Sequence, residues 1–313
     1  MKLVAAGAAV LVAIAVIVAA TRHYKSAAGP PTPAPVVLPT RSDSYLGVYQ
    51  AGVPHTYAGV TALTASTGVR PNVVMYYSGW LEPFRARFAA TAARHGAVPM
   101  VQIEPKSMNK PIKLSAITSG SYDTYLREYA SAVRVYGHAV IIGFGHEMNG
   151  YWYPWGTRHS TPAEFVAAWR HIVRIFRSVG ATNVTWLWTV NIIDSKTGIP
   201  SPGPWWPGRS YVTWVGIDGY YYKPSWEFAP LFGPTIKAVR ALTHDPILIS
   251  ETGATAAAGK AAKITDMFAG IRAYGLLGFV WYDAEGVQDW RIDTTAAAAA
   301  LRRGAQAYKR VAS

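Results

Sequence analysis

The chain has 313 residues, half of them apolar, no cysteine, and a formal net charge of +13. That length accommodates one large α/β domain, and the absence of cysteine excludes disulfides and thiolate metal sites. The charge suits either attraction to anionic wall polymers or lipid headgroups or a simply solvated basic surface, and alone it does not decide between them. No basic run with an interleaved motif argues for nucleic acid, and no nucleic-acid partner is expected.

Leu3 to Ala20 is an unbroken apolar run, with Lys2 ahead of it and Arg22, His23 and Lys25 behind. Residues 1–25 read either as a secretory signal, with Val18-Ala19-Ala20 as small residues for cleavage, or as an uncleaved membrane anchor. Both readings place the remainder outside the cytoplasm, secreted or held at the cell surface. Residues 26–43 carry Pro30, Pro31, Pro33, Pro35 and Pro39 among Ala, Ser and Thr, the composition of an extended spacer. Residues 44–313 are left as the folded domain, expected to be a monomer.

From Tyr45 onward, strand-like apolar runs alternate with amphipathic stretches. Strands are predicted at Tyr45–Gln50, Asn72–Tyr77, Val98–Ile103, Val140–Phe144, Asn183–Val190, Tyr211–Ile217, Pro246–Ser250 and Gly278–Trp281. Helices are predicted near 57–66, 83–95, 123–136, 161–179, 228–243, 259–274 and 293–310, and a Pro/Gly-rich loop at Gly198–Ser210 joins the fifth strand to the sixth. The fourth of these helices is the clearest. Thr161 caps it, Pro162 suits its first turn, Glu164 completes a capping box, and Gly180 ends it. Such alternation implies parallel strands with right-handed crossovers. Eight units favour a closed (β/α)₈ barrel, and no Gly-x-Gly-x-x-Gly follows the first strand as an open dinucleotide-binding sheet would require.

In such a barrel the chemistry sits at the carboxyl ends of the strands. Those ends read Tyr77 and Trp80, Glu104, His146-Glu147, Asn191, Asp218 with Tyr220, Glu251, and Trp281 with Asp283. The fourth strand stops on His146, Glu147 and Asn149 and opens into Tyr151, Trp152, Tyr153 and Trp155. Carboxylates converging with aromatic rings point to glycosidic bond cleavage. One carboxyl protonates the leaving oxygen and the other meets the anomeric carbon, while the rings cover the CH faces of pyranoses. A His-Glu zinc helix is excluded, because position 150 is Gly where a second His would be needed.

His146-Glu147-Met148-Asn149-Gly150, followed by Trp152 and Trp155-Gly156, resembles the signature of glycoside hydrolase family 26, best known for endo-β-mannanases. Trp206-Pro207-Gly208 leading into Gly216-Ile217-Asp218-Gly219-Tyr220 is similar to that family's sixth-strand region, and Ile249-Ser250-Glu251-Thr252-Gly253 to its nucleophile segment. The resemblance spans roughly residues 45 to 310. It implies a retaining glycoside hydrolase that cleaves internal β-1,4 linkages of a polysaccharide by double displacement and needs no metal or organic cofactor. Glu147 would be the general acid/base and Glu251 the nucleophile. His146 would contact the sugar or position Glu147, Tyr220 would hydrogen-bond the nucleophile, and Trp281 would floor the cleaved sugar. Trp152, Trp155 and Trp80 are expected to stack on sugar rings, and Asn149 is expected to bind the substrate.

Two departures bear on the substrate. Mannanases of the family carry a His near the third strand's end, where this chain reads Gln102-Ile103-Glu104-Pro105, closer to the branch that cuts mixed-linkage β-glucan. Arg209 replaces the family's acidic residue after Pro-Gly. The polymer is left open between β-mannan and mixed-linkage β-glucan, and Glu104 is either a sugar ligand or structural. Other readings of the scaffold are a glycan-binding pseudoenzyme and a transglycosylase.

Overall fold

The computed structural model describes residues 38–40, 44–108 and 110–311. The expectations for residues 1–25, and for all of 26–43 except 38–40, lie outside the described residues. In chain order the elements are β1 (Tyr45–Gln50), α1 (Ala58–Thr67), β2 (Val73–Gly79), α2 (Ala86–Arg94), β3 (Val98–Glu104), β4 (Lys106–Ser107), β5 (Lys110–Pro111), α3 (Leu114–Thr118), α4 (Asp123–Tyr136), β6 (Val140–Phe144), α5 (Pro162–Val179), β7 (Val184–Asn191), β8 (Trp214–Asp218), α6 (Phe228–Arg240), β9 (Ile247–Thr252), α7 (Lys260–Ala273), β10 (Gly278–Asp283) and α8 (Thr295–Val311). Eight strands close a parallel barrel in the order β1-β10-β9-β8-β7-β6-β3-β2, so the (β/α)₈ expectation holds. The two-stranded β4–β5 hairpin and the short α3 were not expected. Between β7 and β8 the chain makes only two short 3₁₀ turns, Gly203–Trp205 and Arg209–Tyr211, in keeping with the loop reading.

Two apolar layers hold the barrel. Between the strands and helices, Val74, Val101, Ile142, Trp188, Val215 and Ile249 pack against helical residues such as Phe88, Phe165, Phe176 and Phe268. Inside the barrel, a smaller plug of Val73, Met75, Met100, Ile141, Leu187, Trp214, Leu248 and Val280 fills the lower half. Alternate strand residues point to opposite faces, so the positions after that plug aim inward at the upper half. These are Gln102, Thr189, Asn191, Asp218 and Ser250, all buried. Gly216 makes room for them: a Cβ there would fall 2.4 Å from Ser250 Oγ and 2.6 Å from Thr189 Oγ1. At α5, Thr161 and Glu164 form the expected reciprocal cap and Gly180 takes the left-handed conformation that ends the helix.

Candidate active site

β6 ends at Phe144, and the chain turns sharply through Gly145 and Glu147, both at φ 55°. For Glu147 this left-handed conformation costs about 1–2 kcal/mol. Two backbone bonds hold it there: Glu147 N–H donates to Thr189 O at 3.0 Å, and Gly150 N–H donates to Glu147 O at 2.8 Å. The turn aims the Glu147 carboxyl across the barrel mouth. Asn191, at the end of β7, donates its side-chain amide to Oε1, and Trp152 Nε1 donates to Oε2 at 2.8 Å.

Glu251 reaches the same mouth by a different device. The β8–β9 pairing shifts register between Ile217 and Asp218, so that Ile217 faces Ile249 while Asp218 faces Glu251. The irregularity lets consecutive residues both face inward. Ser250 Oγ bonds Asp218 Oδ1, while the Glu251 carboxylate accepts from the phenols of Tyr77 and Tyr220. Glu251 stays partly exposed to the cleft.

The two carboxyls feel each other. Burial first, and then the charge on Glu251, push Glu147 up to about 8, although the Asn191 and Trp152 hydrogen bonds pull the other way. Burial also raises Glu251, but its two phenol donors act to hold it down. Both phenols lie well above the ordinary range, chiefly through burial and the Glu251 charge, so they remain donors. Near neutral pH the arrangement therefore keeps a proton on Glu147, beside a second carboxyl whose upward shift is opposed by two phenol donors.

Beneath the pair, Asp218 is wholly buried and pushed well up by burial and by the charges of Glu251 and Glu147. Next to Tyr77, His146 is pushed down to about 3 by burial and the charge of Lys106, and is neutral. Its Nε2 meets Tyr153 Oη at 3.0 Å, and Tyr153 stacks on Trp155 at 4.5 Å between ring centroids. Glu104 pairs with Lys106 Nζ at 2.9 Å, and burial raises it while Lys106 lowers it.

A family model for glycosyl hydrolase family 26 matches residues 123–285, the stretch that carries both carboxylates. The chain belongs to glycosyl hydrolase family 26. It is 32% identical over 240 residues to endoglucanase H of Acetivibrio thermocellus, an alignment covering 72% of this chain and 26% of that protein. It thus spans about a quarter of that relative's length. In fold it is similar to Bacillus subtilis mannanase BCman, with TM-score 0.64, 18% identity, and 84% and 85% of the two chains covered. A family 26 β-mannanase from Bacteroides ovatus gives TM-score 0.65 at 14% identity, covering 86% of this chain and 90% of that one.

Within this family 26 barrel the expected site residues fall into two groups. Glu147, Glu251, Tyr220, His146, Trp152 and Glu104 share the mouth. Trp152 is 40% exposed, so its ring is accessible while its Nε1 holds Glu147. Asn149 is wholly buried; its amide bonds Asn191 O at 2.9 Å and its carbonyl accepts from Asn191 N–H at 2.8 Å, so it fixes the residue that holds Glu147.

Three tryptophans do not reach the open cleft. Trp155, 1% exposed, lies under Tyr153 and donates to His146 O at 2.7 Å. Trp80, also 1% exposed, turns outward past the end of β2 and packs on Tyr122, Tyr125 and Phe144. Trp281 belongs to the layer between barrel and helices, because its neighbours Val280 and Tyr282 take the inward positions. The residue that meets the cleft is Tyr282, stacked on Tyr49 at 4.5 Å and raised chiefly by burial, with Tyr49 and the Glu251 charge adding to it. Tyr77 and Asn191 stand on the rim in the sequence without an assigned role. Their inward parity, two and four places after the apolar plug residues Met75 and Leu187, was the available signal.

Proposed function

We propose that the chain hydrolyses internal β-1,4 linkages of a β-glucan or β-mannan with retention of configuration. The observation that carries this reading is the opposed state of two carboxyls in one cleft: Glu147 raised to about 8 by burial and the Glu251 charge, Glu251 anchored by two phenols. Glu251 attacks the anomeric carbon and Glu147 gives its proton to the leaving oxygen. A glycosyl ester forms on Glu251 as the glycosidic C–O bond breaks. Glu147, now a carboxylate, takes a proton from water, which displaces Glu251 and regenerates both groups. Asn191 and Trp152 hold Glu147 at the angle the proton needs, and exposed Trp152 offers a ring face beside the leaving sugar.

The Gln102-Ile103-Glu104-Pro105 segment and the endoglucanase relative support a β-glucan as the first polymer to try; the barrel's likeness to mannanases supports β-mannan. The apolar run Leu3 to Ala20 supports export, with the barrel released or tethered at the cell surface. The test is reducing-sugar release from mixed-linkage glucan, galactomannan and xylan, with the anomer of the first product followed by NMR. Release of the retained anomer from one of the first two is expected. Binding without release would favour the pseudoenzyme, inversion would overturn the double displacement, and glycosyl transfer to added sugar in place of water would favour the transglycosylase.

A further inference from the structure

The charge of +13 is not absorbed by the cleft, whose charged groups are mostly carboxyls. Part of it gathers on one flank of the barrel. Arg170, Arg174 and Arg177 recur at four- and three-residue spacing, which sets them in one stripe along α5 about 10 Å long. Arg127 and Arg134, seven apart on α4, meet the end of that stripe. Arg127 Nη1 donates to Ser178 Oγ at 3.1 Å, and Arg134 lies over Gly180. Arg209 extends it from the loop before β8.

Several of these side chains are held in place. Arg170 donates to Pro207 O at 2.7 Å and Arg177 to Ser210 O. Their guanidinium groups lie 5.3 and 5.6 Å from the centre of the Tyr211 ring. Among the described residues none of the six forms an ion pair with a carboxylate. Of the acids on these elements, Asp123 is engaged with His171 at 2.7 Å, Glu164 accepts from Thr161 in the α5 cap and Asp194 accepts from Lys196 N–H, with Glu128 on α4 the fourth. A guanidinium fixed by one donor still presents others, in the planar geometry that matches a carboxylate.

We propose that this arginine flank of α4, α5 and the β7–β8 loop binds a carboxylate-bearing polysaccharide. It would hold the barrel on an acidic matrix while the cleft, at the strand ends, stays open. The observations favour a polymer that is read by charge. Tyr211 is flanked by guanidinium groups, which leaves little ring face for a base to stack on. Of the exposed large apolar side chains only Val135 lies on these elements, too little to insert into a lipid surface.

The experiment uses the full chain and polygalacturonate as probe, with affinity measured by titration calorimetry at rising salt. Arg174→Glu with Arg209→Glu changes charges that are exposed and hold no backbone carbonyl among the described hydrogen bonds. Lys237→Glu with Arg272→Glu makes the same charge change on α6 and α7, and thermal melts check that both fold. Salt-sensitive binding is expected, weakened about tenfold by the first pair and less than about twofold by the second. Equal losses from both pairs would reduce the effect to net charge and overturn the proposal. So would no binding by the unmutated chain. Polyphosphate, and vesicles of equimolar phosphatidylserine and phosphatidylcholine, form the remaining arms; tighter binding to either, lost in the first pair, would replace the carboxylate partner.

Discussion

The inside of the barrel is two unlike halves. Its lower half is a plug of Met75, Met100, Ile141, Leu187, Trp214, Leu248 and Val280, each at most 1% exposed and none ionisable. Its upper half holds Gln102, Asp218 and Ser250, at later inward positions of the same strands, with Glu147 brought in by the turn after β6 and Glu251 by the β8–β9 register shift. Among the described residues Gln102 Oε1 and Asp218 Oδ2 have no hydrogen-bond partner there, and Glu147 sits in a strained conformation. The lower half stabilises the fold. The upper half gives up stability to hold charge where it can act, and substitutions in the two halves should therefore fail in opposite ways.

The largest effect is expected at the nucleophile. Glu251→Ala should lower kcat by on the order of 10⁴ or more while leaving the melting temperature unchanged or raised. Glu147→Gln should cost roughly 10²–10⁴ in kcat on polymer substrates. Its effect on stability follows from the proton it holds. The folded chain binds that proton up to about pH 8, whereas the unfolded chain releases it near the ordinary 4.5. Stability is therefore lost as pH rises through that window, and Glu147→Gln should raise the melting temperature by a few degrees at pH 8 and by little at pH 4.5. Trp214→Ala, in the plug, should do the reverse: about 3–5 kcal/mol less stable, with kcat preserved where the chain remains folded. A loss of kcat as large as that of Glu147→Gln in folded Trp214→Ala would erase the distinction.

Smaller effects sharpen the picture within the upper half. Tyr77→Phe and Tyr220→Phe each remove a donor from the Glu251 carboxylate, which stabilises its charge by about 1.5–3 kcal/mol. Each should lower kcat roughly 10–100-fold and move the acidic limb of kcat/KM upward. Trp152→Phe removes one donor from Glu147. It should raise the basic limb slightly, because the lost hydrogen bond favoured the ionised carboxyl.

The scaffold was legible because its signals are local. Strand and helix runs, the Thr161 cap and the Gly180 stop are read over a few residues, and Tyr45–Gln50 and Val140–Phe144 fall where the sequence places them. Glu147 and Glu251 were legible because each closes an apolar run at a strand end. The failures come from parity. A strand buried on both faces reads as a continuous apolar run, so nothing local showed that Trp281 faces the helices and Tyr282 the cleft. The register shift that turns Glu251 inward beside Ser250 leaves no mark in composition. The Tyr77–Glu251 bond joins residues 174 positions apart and exists only because the barrel closes.

The central claim is that Glu147 holds its proton first because it is buried and then because Glu251 is charged beside it. It is tested most directly by following the side-chain carboxyl resonance of carbon-13-labelled Glu147 through a pH titration, in the unmutated chain and in Glu251→Gln. The expected midpoint lies near 8 and falls clearly when position 251 is neutral. A midpoint near the ordinary 4.5 in the unmutated chain, or one near 8 that Glu251→Gln leaves in place, would contradict the account.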